Sequence, residues 1–433
     1  MRTQGSHQQA GPEGRPDTAA VAEAAASTAF LDPTRPPGPR SDSNKRGALG
    51  STQREYPLDV TLITTEQEFD ALEAEYDRLL EESPNATIFS AFAFVRTAWK
   101  HFNDTAHRLF ILTLRSQGQL VGVVPLRIDA VCIGRLVLVR TLRFIGEWGF
   151  GDKPTALFTI DEGTAWEQIL CFLDAHRRHW DAISLAEQSP EFAALIKRLC
   201  ANRSFRVFCA PAAETFHANL DGGWEMYTQA ITTKALRELR RRKRKLEVDK
   251  GEVTIRFIDT REAVDNAIDR YVRIEQSGWK RGPLPHTVGG NTKNLDFYRD
   301  LVAQLVKRKM ASVVFLTAGD NDTAGAIIYR CKETLYSAQW AYEQEYSRYS
   351  PGALLVTELV RANTGRGLKK LDFLGLQDAG SSESFKKTWG TGSAKTVTVA
   401  VYKSTYRLML HRLLARAGKY KRLARRWRKR NGG

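Results

Sequence analysis

Two glycine hairpins, one in each half of the chain, restrict what this sequence can fold into more than any other feature. Gly118-Gln-Leu-Val-Gly122-Val-Val124 has the same form as Asp322-Thr-Ala-Gly325-Ala-Ile-Ile328. Each reads as strand, turn, strand. In each, a glycine lies just inside the returning strand, where the missing side chain permits a bulge or a close backbone approach. Similar elements in the same order surround both hairpins: helices, a meander of three strands, a helix and a strand. A unit that recurs in this way predicts an α/β layer structure made of two copies.

In the first copy, 60–63 reads as a strand and 66–80 as a helix that puts Phe69, Leu72, Tyr76, Leu79 and Leu80 on one face. Phe92 to His101 follows as a helix, then strands over 109–115, 120–128 and 136–144. A helix over 166–180, a strand over 181–186, a helix over 191–201 and a strand over 205–211 complete the copy. The second copy has helices over 236–248, 263–275 and 296–309, and strands over 311–317, 324–331 and 334–342. A helix over 352–363 and a strand over 370–374 close it. The expected units are 55–220 and 221–405, flanked by a leader (1–54) and a tail (406–433).

The leader holds six of the fifteen prolines and no sustained period, so it is read as disordered. The remainder can fill a core, since 42% of all residues are hydrophobic and 26% charged. Five scattered cysteines with no C-x-x-C pair argue against a disulfide framework or a zinc site. No metal is predicted, and His176 and His179 are too close together for a zinc helix. No apolar run is long enough for a spanning helix, and no signal-like stretch opens the chain, so a cytoplasmic location is expected.

The net charge of +16 is concentrated: 403–430 carries twelve Lys and Arg and no acid, leaving +4 elsewhere. In that tail Tyr406, Leu410, Leu413, Ala417, Tyr420, Ala424 and Trp427 recur at intervals of three and four. The tail is expected to be a basic amphipathic helix. An anionic membrane surface is its first reading, packing on the protein or a partner its second, and nucleic acid its last.

The segment richest in chemistry is Tyr342-Glu-Gln-Glu-Tyr-Ser-Arg348-Tyr349-Ser350-Pro351-Gly352-Ala353. It joins a strand to a helix whose buried face is Leu355, Val356, Leu359 and Val360. Ser350 is expected to be the N-cap, Pro351 suits the first helical position, and Gly352 leaves the backbone unobstructed. A helix N-terminus of that kind offers N–H groups and partial positive charge to a diphosphate, with Arg348 beside it. Arg348, Tyr349, Ser350, Gly352 and Ala353 are therefore the expected donor-binding residues. Gly390-Thr-Gly-Ser-Ala-Lys395 lacks phosphate-loop spacing and reads as a turn before a strand.

Residues 230–405 resemble the GNAT acyltransferases of the CelD/BcsL type, relatives of the FemABX transferases. The matching stretches are Arg237-Glu-Leu-Arg240 through Leu246, Trp279-Lys-Arg-Gly282, Arg348-Tyr-Ser-Pro-Gly352, Asp372-Phe-Leu374 and Phe385-Lys-Lys-Thr-Trp-Gly390. The first half resembles the family's first domain more loosely, through the Gly122 hairpin and the turn Gly146-Glu-Trp-Gly-Phe-Gly-Asp152. The resemblance implies two tandem GNAT folds, with acetyl-CoA or another acyl-CoA as co-substrate. It implies acylation of an amine or a sugar hydroxyl on a small-molecule or saccharide acceptor. The segment from Gly375 to Ser384 is longer than the family's tight turn, which bears on acceptor choice.

Direct acyl transfer needs alignment, a proton acceptor and a polarised carbonyl. Glu343, Glu345 and Glu275 are candidate bases, with Glu343 preferred. The resemblance assigns Lys386, in its aromatic-Lys setting, to the acceptor and the developing charge. Trp279, Trp340, Tyr342 and Phe385 are expected to line the acceptor cleft. Two rival readings are an aminoacyl transferase that draws on charged tRNA and a non-catalytic GNAT-fold subunit of a polysaccharide-synthesis complex.

Overall fold

A computed structural model describes residues 57–409 except 134–135, 148–149, 279, 283, 285, 376–380 and 406–407. The predicted leader and most of the tail, Trp279 included among single sites, lie outside the described residues. The first half runs β1 (Leu58–Ile63), α1 (Glu66–Asp70), α2 (Glu73–Glu82), α3 (Phe92–Phe102), β2 (His107–Ser116), β3 (Gln119–Ile133), β4 (Leu136–Phe144) and β5 (Leu157–Phe158). It continues with α4 (Glu162–Ala175), β6 (Ala182–Gln188), α5 (Pro190–Cys200) and β7 (Arg206–Asn219). The second half runs α6 (Gly223–Ala230), α7 (Thr233–Lys250), β8 (Val253–Ile258), α8 (Arg261–Ser277), α9 (Thr292–Lys307), β9 (Ala311–Ala318), β10 (Asn321–Cys331) and β11 (Thr334–Tyr342). It ends with α10 (Pro351–Asn363), β12 (Lys370–Asp372), α11 (Ser381–Trp389) and β13 (Gly392–Tyr402).

The helix expected over 66–80 is two helices. Thr65 and Glu68 form a capping box that starts α1, and the chain breaks at Ala71–Leu72 before α2. The apolar stripe survives the break, for Phe69, Leu72 and Tyr76 are all buried. Four elements lie outside the sequence expectations, namely β5, β8, α6 and α11. β7 runs well past its expected end at Pro211 because it finds partners on both edges.

The strands form one sheet of order β1-β2-β3-β4-β6-β13-β7-β12-β11-β10-β9-β8, with β5 on β3. Its centre is an exchange. β13, from the end of the second half, pairs antiparallel with β6 of the first (Val401 opposite Ile183), and β7 of the first pairs with β12 of the second (Ala218 opposite Leu371). β7 and β13 pair with each other from Gly392 opposite His217 to Tyr402 opposite Arg206. The sheet therefore crosses the 220/221 boundary without interruption.

One face of the sheet carries a large apolar core drawn from both halves. α2 and α3 meet α8 and α9 there, with Phe94 edge-on to Phe297 at 6.1 Å and Lys100 bonded to Asp300 at 2.5 Å. On the other face are two cores. α4 and α5 cover the first half together with Val399 and Val401 of β13, and α6, α7 and α10 cover the second together with Phe216 and Ala218 of β7. Each half thus completes its core with a strand from the other.

Residues 57–220 expressed alone should lack near-UV circular dichroism and bind ANS, because β6 and β7 would each lose β13. Co-expression with 221–405 should restore a folded complex. A cooperative, ANS-silent first half would contradict the exchange.

Candidate functional site

β11 and β12 run parallel for only three residue pairs, from Thr334 opposite Lys370 to Tyr336 opposite Asp372. β12 then ends, while β11 continues to Tyr342, held on its other edge by β10 through a bulge near Ala338. Two parallel strands that part company open the sheet at the carboxyl ends, where α/β proteins place ligands. The gap has aromatic walls: Trp340 stacks on Phe373 (5.9 Å between centroids) and meets Phe385 edge-on (4.8 Å). Lys280 bonds the Trp340 carbonyl at 2.8 Å.

After β11 the chain makes a 3₁₀ turn over Gln344–Tyr349 and enters α10. Ser350 is the residue before the helix, as expected, but it does not cap with its side chain. Its backbone is left-handed (φ 56°), and its hydroxyl receives the Arg242 guanidinium from α7. The Ala353 and Leu354 N–H groups turn back onto the Ser350 carbonyl, at 3.0 and 3.1 Å. Among the described residues this leaves the Gly352 N–H as the uncommitted donor of the first turn. A cavity of about 360 Å³ lies over it, lined by Ala235, Glu238 and Arg242 of α7, by Tyr342, by Ser350 to Ala353, and by Phe385 and Trp389. A Cβ on Gly352 would lie 3.8 Å from Tyr342, so larger side chains would enter this space.

Arg348 does not stand beside the helix start. Its guanidinium reaches Asp249 at 3.5 Å and lies over the Tyr349 ring at 4.7 Å, while the Tyr349 hydroxyl bonds Asp249 at 2.6 Å. Neither side chain lines the cavity. The cation there is Arg242, one helical turn past Glu238, which holds it at 2.7 Å. By sequence the basic run 237–245 reads first as an exposed helix face and second as a partner for CoA phosphates or an anionic acceptor; the helix turns position 242 inward, on the side that Leu239 and Leu246 mark as buried.

Glu343 precedes the 3₁₀ turn, and its Oε2 is buried without a hydrogen bond. No hydrogen bond or ion pair joins it to Lys386. Glu345 is exposed, 4.0 Å from Lys250. Glu275 is a structural carboxylate: fully buried, it accepts from the Val288 and Gly289 N–H groups at 3.3 and 2.8 Å and so fixes the loop before α9.

Lys386 is buried on α11 and points to the seam between the halves, where its ammonium bonds the Leu374 carbonyl at 3.2 Å and the Gly375 carbonyl at 2.6 Å. Asp372, at the end of β12, accepts from the Leu374 N–H at 2.9 Å and from Lys153 of the first half at 2.7 Å. Asp152 accepts from the Gly375 N–H at 2.5 Å. Lys153, Glu187 and Leu374 all have left-handed backbones (φ 48°, 56° and 61°). Such conformations cost of order 1–3 kcal/mol each in non-glycine residues and gather at functional sites. Glu187 also accepts from the Lys153 N–H at 3.0 Å, so the strained residues belong to one network. Burial tends to raise the Asp372 carboxyl, but Lys153 and Lys370 outweigh it and hold the group below its usual range. Burial brings Lys386 down to about 8, against the pull of Asp152 and Asp372.

The first half repeats the layout without the chemistry. β4 and β6 also run parallel, for two pairs, but the space beyond is occupied by Glu147, which is buried and accepts from the Ala186 N–H at 3.1 Å. Burial pushes that carboxyl up. The start of α4 carries Asp161, whose carboxylate already accepts from the Thr164 N–H at 2.8 Å. An acid at that position repels a phosphate.

Residues 233–387 match the family described as Acetyltransferase (GNAT) domain. The fold and this domain define the protein's class: it is a mixed α/β protein with a GNAT domain over 233–387, and an acyltransferase. Among solved structures it is similar to FemX, at 12% identity over 79% of this chain and 96% of that one, with a TM-score of 0.55. It is also similar to a conserved protein from Bacteroides thetaiotaomicron (7% identity, 79% and 100% covered, TM-score 0.49). A third is a tandem GNAT protein from the clavulanic acid biosynthesis pathway (11% identity, 80% and 99% covered, TM-score 0.39). No curated protein matches the chain in sequence. At these identities the likeness speaks for the fold.

The seam makes a prediction about stability. An unfolded lysine titrates at about 10.4, so between that value and about 8 the unfolded chain binds more protons than the native one. Stability should therefore rise with pH across that window. Urea melts at about pH 7.5 and about pH 9.5 should show a smaller gain for Lys386→Met than for the wild type. Equal gains would mean that Lys386 titrates normally.

Proposed function

We propose that this protein moves an acetyl or other acyl group from acyl-CoA to an amine or hydroxyl of a carbohydrate or cell-envelope precursor, as the CelD/BcsL-type resemblance implies. The observation that carries the reading is the cavity of about 360 Å³ over the start of α10, with the free Gly352 N–H and Arg242 beside it. A diphosphate would take its place at that N–H and at the helix's positive end. Tyr342 and Phe385 would flank the pantetheine arm as it enters the gap between β11 and β12. Arg348, exposed at the outer edge and held over the buried Tyr349 ring, would act on the part of the nucleotide nearest solvent.

The thioester carbonyl would then lie toward the seam. Lys386 has three N–H donors, and two point at the Leu374 and Gly375 carbonyls. The third is available to the oxyanion that develops as the acceptor attacks. In a buried site such a donor is worth far more than in water. Glu343, with one carboxylate oxygen unbonded, remains a candidate to receive the acceptor's proton. Trp340 and Phe385 would wall the acceptor.

A second reading, an aminoacyl donor carried on tRNA, is favoured by one feature. α7 exposes Lys234, Arg237, Arg240, Arg244 and Lys245, none ion-paired among the described residues. A cationic stripe of that length suits a polyanion.

Calorimetric titration separates the two. Acetyl-CoA should bind, and Gly352→Asp should lower its affinity at least about tenfold without loss of thermal stability, because an acid at a helix start favours the helix while repelling phosphate. Binding of tRNA with no binding of acetyl-CoA would select the second reading. In the acyl-CoA reading, kcat/KM should fall as pH rises through about 8, where Lys386 loses its proton, and Lys386→Arg should move that limb upward. A limb that stays in place would remove Lys386 from the chemistry.

A further inference from the structure

α7 is at once a wall of the donor cavity and a dense row of exposed cations. Ala235, Glu238, Leu239 and Arg242 line the cavity. Lys234, Glu238, Arg241 and Lys245 stand at i, i+4, i+7 and i+11, so they form one line along the helix. Glu238 belongs both to that line and to the cavity wall, and the cations on either side of it therefore border the cavity. From Lys234 to Lys245 the line is about 16 Å long, at about 1.5 Å per residue. Its one acid is taken up by Arg241 at 2.8 Å and Arg242 at 2.7 Å. Arg237, Arg240 and Arg244 are exposed beside the line. Val248, 85% exposed, continues the same face at i+3 from Lys245 and i+7 from Arg241.

A free acyl-CoA does not need this surface, because the Gly352 N–H and Arg242 already serve its diphosphate. At about 360 Å³ the cavity is also at the low end of the range for ligand pockets, about 300–1,000 Å³, and suits a narrow arm better than an arm and a nucleotide together. Resting on the donor site described above, we propose that this cavity also takes acyl groups from the phosphopantetheine arm of a small acidic carrier protein, which docks on the exposed face of α7. Such an arm ends in one phosphate joined to a serine of its carrier. That phosphate takes the place of the CoA diphosphate, at the Gly352 N–H and Arg242, and so brings the carrier's surface onto the helix that borders the cavity. Acidic side chains of the carrier then pair with Lys234, Arg237 and Lys245, and an aliphatic side chain covers Val248. The transfer itself balances as it does from CoA. The acyl C–S bond breaks, the acceptor bonds to the acyl carbon, and the proton the acceptor loses ends on the arm's sulfur, leaving a thiol.

A protein fits this face better than RNA or lipid does. The end of a tRNA that carries an aminoacyl group is single-stranded, and proteins hold such strands by stacking bases on aromatic side chains as well as by pairing phosphates. α7 has no aromatic residue from Thr233 to Lys250, and its exposed apolar residue, Val248, is aliphatic. An anionic bilayer would meet the cations but leave the adjoining cavity unused. Only a partner that presents acidic side chains and a thioester arm together uses both the row and the cavity beside it.

The test is calorimetric binding by the full chain to four probes: acetyl-CoA, a bacterial acyl carrier protein with an acetylated arm, the same carrier without its arm, and tRNA. The armed carrier should compete with acetyl-CoA and bind at least about tenfold more tightly than the armless form. Raising the salt from about 50 to about 300 mM should weaken it about tenfold or more. The triple variant Lys234→Ala, Arg237→Ala, Lys245→Ala should lose about tenfold or more in affinity for the armed carrier, while its affinity for acetyl-CoA stays within about threefold. An armed carrier that binds no more tightly than the armless one, that leaves acetyl-CoA in place, or that is indifferent to the triple substitution overturns the proposal. So does a triple variant that loses acetyl-CoA to the same extent, and so does a wild type that binds acetyl-CoA but not the armed carrier. Binding of tRNA that is lost in the triple variant assigns the face to RNA and likewise overturns it. A wild type that binds neither acetyl-CoA nor the armed carrier sinks the donor site itself, a result distinct from all of these.

Discussion

The exchange of terminal strands between the halves is the constraint on which the rest of the molecule depends. Because β13 lies between β6 and β7, and β7 between β13 and β12, neither half can close its sheet alone. The consequence is geometric as well as energetic. The exchange brings the turn around Asp152 and Lys153 against the end of β12, so that Lys153 pairs with Asp372 and Asp152 holds Gly375. Two ordinary layers, each of which could have carried its own site at its own edge, become one sheet with a site at its centre.

Duplication gives two parallel strand pairs that part and two helices that start beside them, and local chemistry then makes the copies unequal. In the first copy an acid occupies each critical place, Asp161 at the helix start and Glu147 in the gap. In the second, the corresponding helix start is Ser350-Pro351-Gly352 with Arg242 against it. Electrostatics alone therefore favours an anionic donor at one end of the molecule and opposes it at the other. The first copy supports the second structurally, supplying Asp152 and Lys153 to the seam and strand β7 to the sheet.

Much of the architecture was legible in the residues. The paired glycine hairpins give the repeat, and β11, predicted over 334–342, has those bounds. The family resemblance drew attention to Lys386, and the helix start at Pro351 was marked by its proline. The rest depends on contacts between distant segments that carry no local signal. β8 is short and half-exposed, so its alternation is weak. Arg242 lies in the run 237–245 among six other cations, Glu238 and Leu239, and only the packed helix decides which of them turn inward. Arg348 looked like the phosphate cation because it adjoins the turn in sequence, but the Tyr349 ring and Asp249 draw it away. Asp152 and Lys153 follow a glycine-rich turn that reads as a loop, and nothing nearby in sequence announces that Gly375 and Asp372, some 220 positions later, are their partners.

The central claim is that the donor sits on the second copy, at the start of α10. A crystal structure with acetyl-CoA bound tests it most directly. The account predicts the diphosphate within hydrogen-bond distance of the Gly352 N–H and the Arg242 guanidinium, with the thioester directed along the free edge of β11 toward Lys386. A nucleotide seated at the start of α4, or one that leaves the Ser350–Ala353 turn untouched, would contradict it.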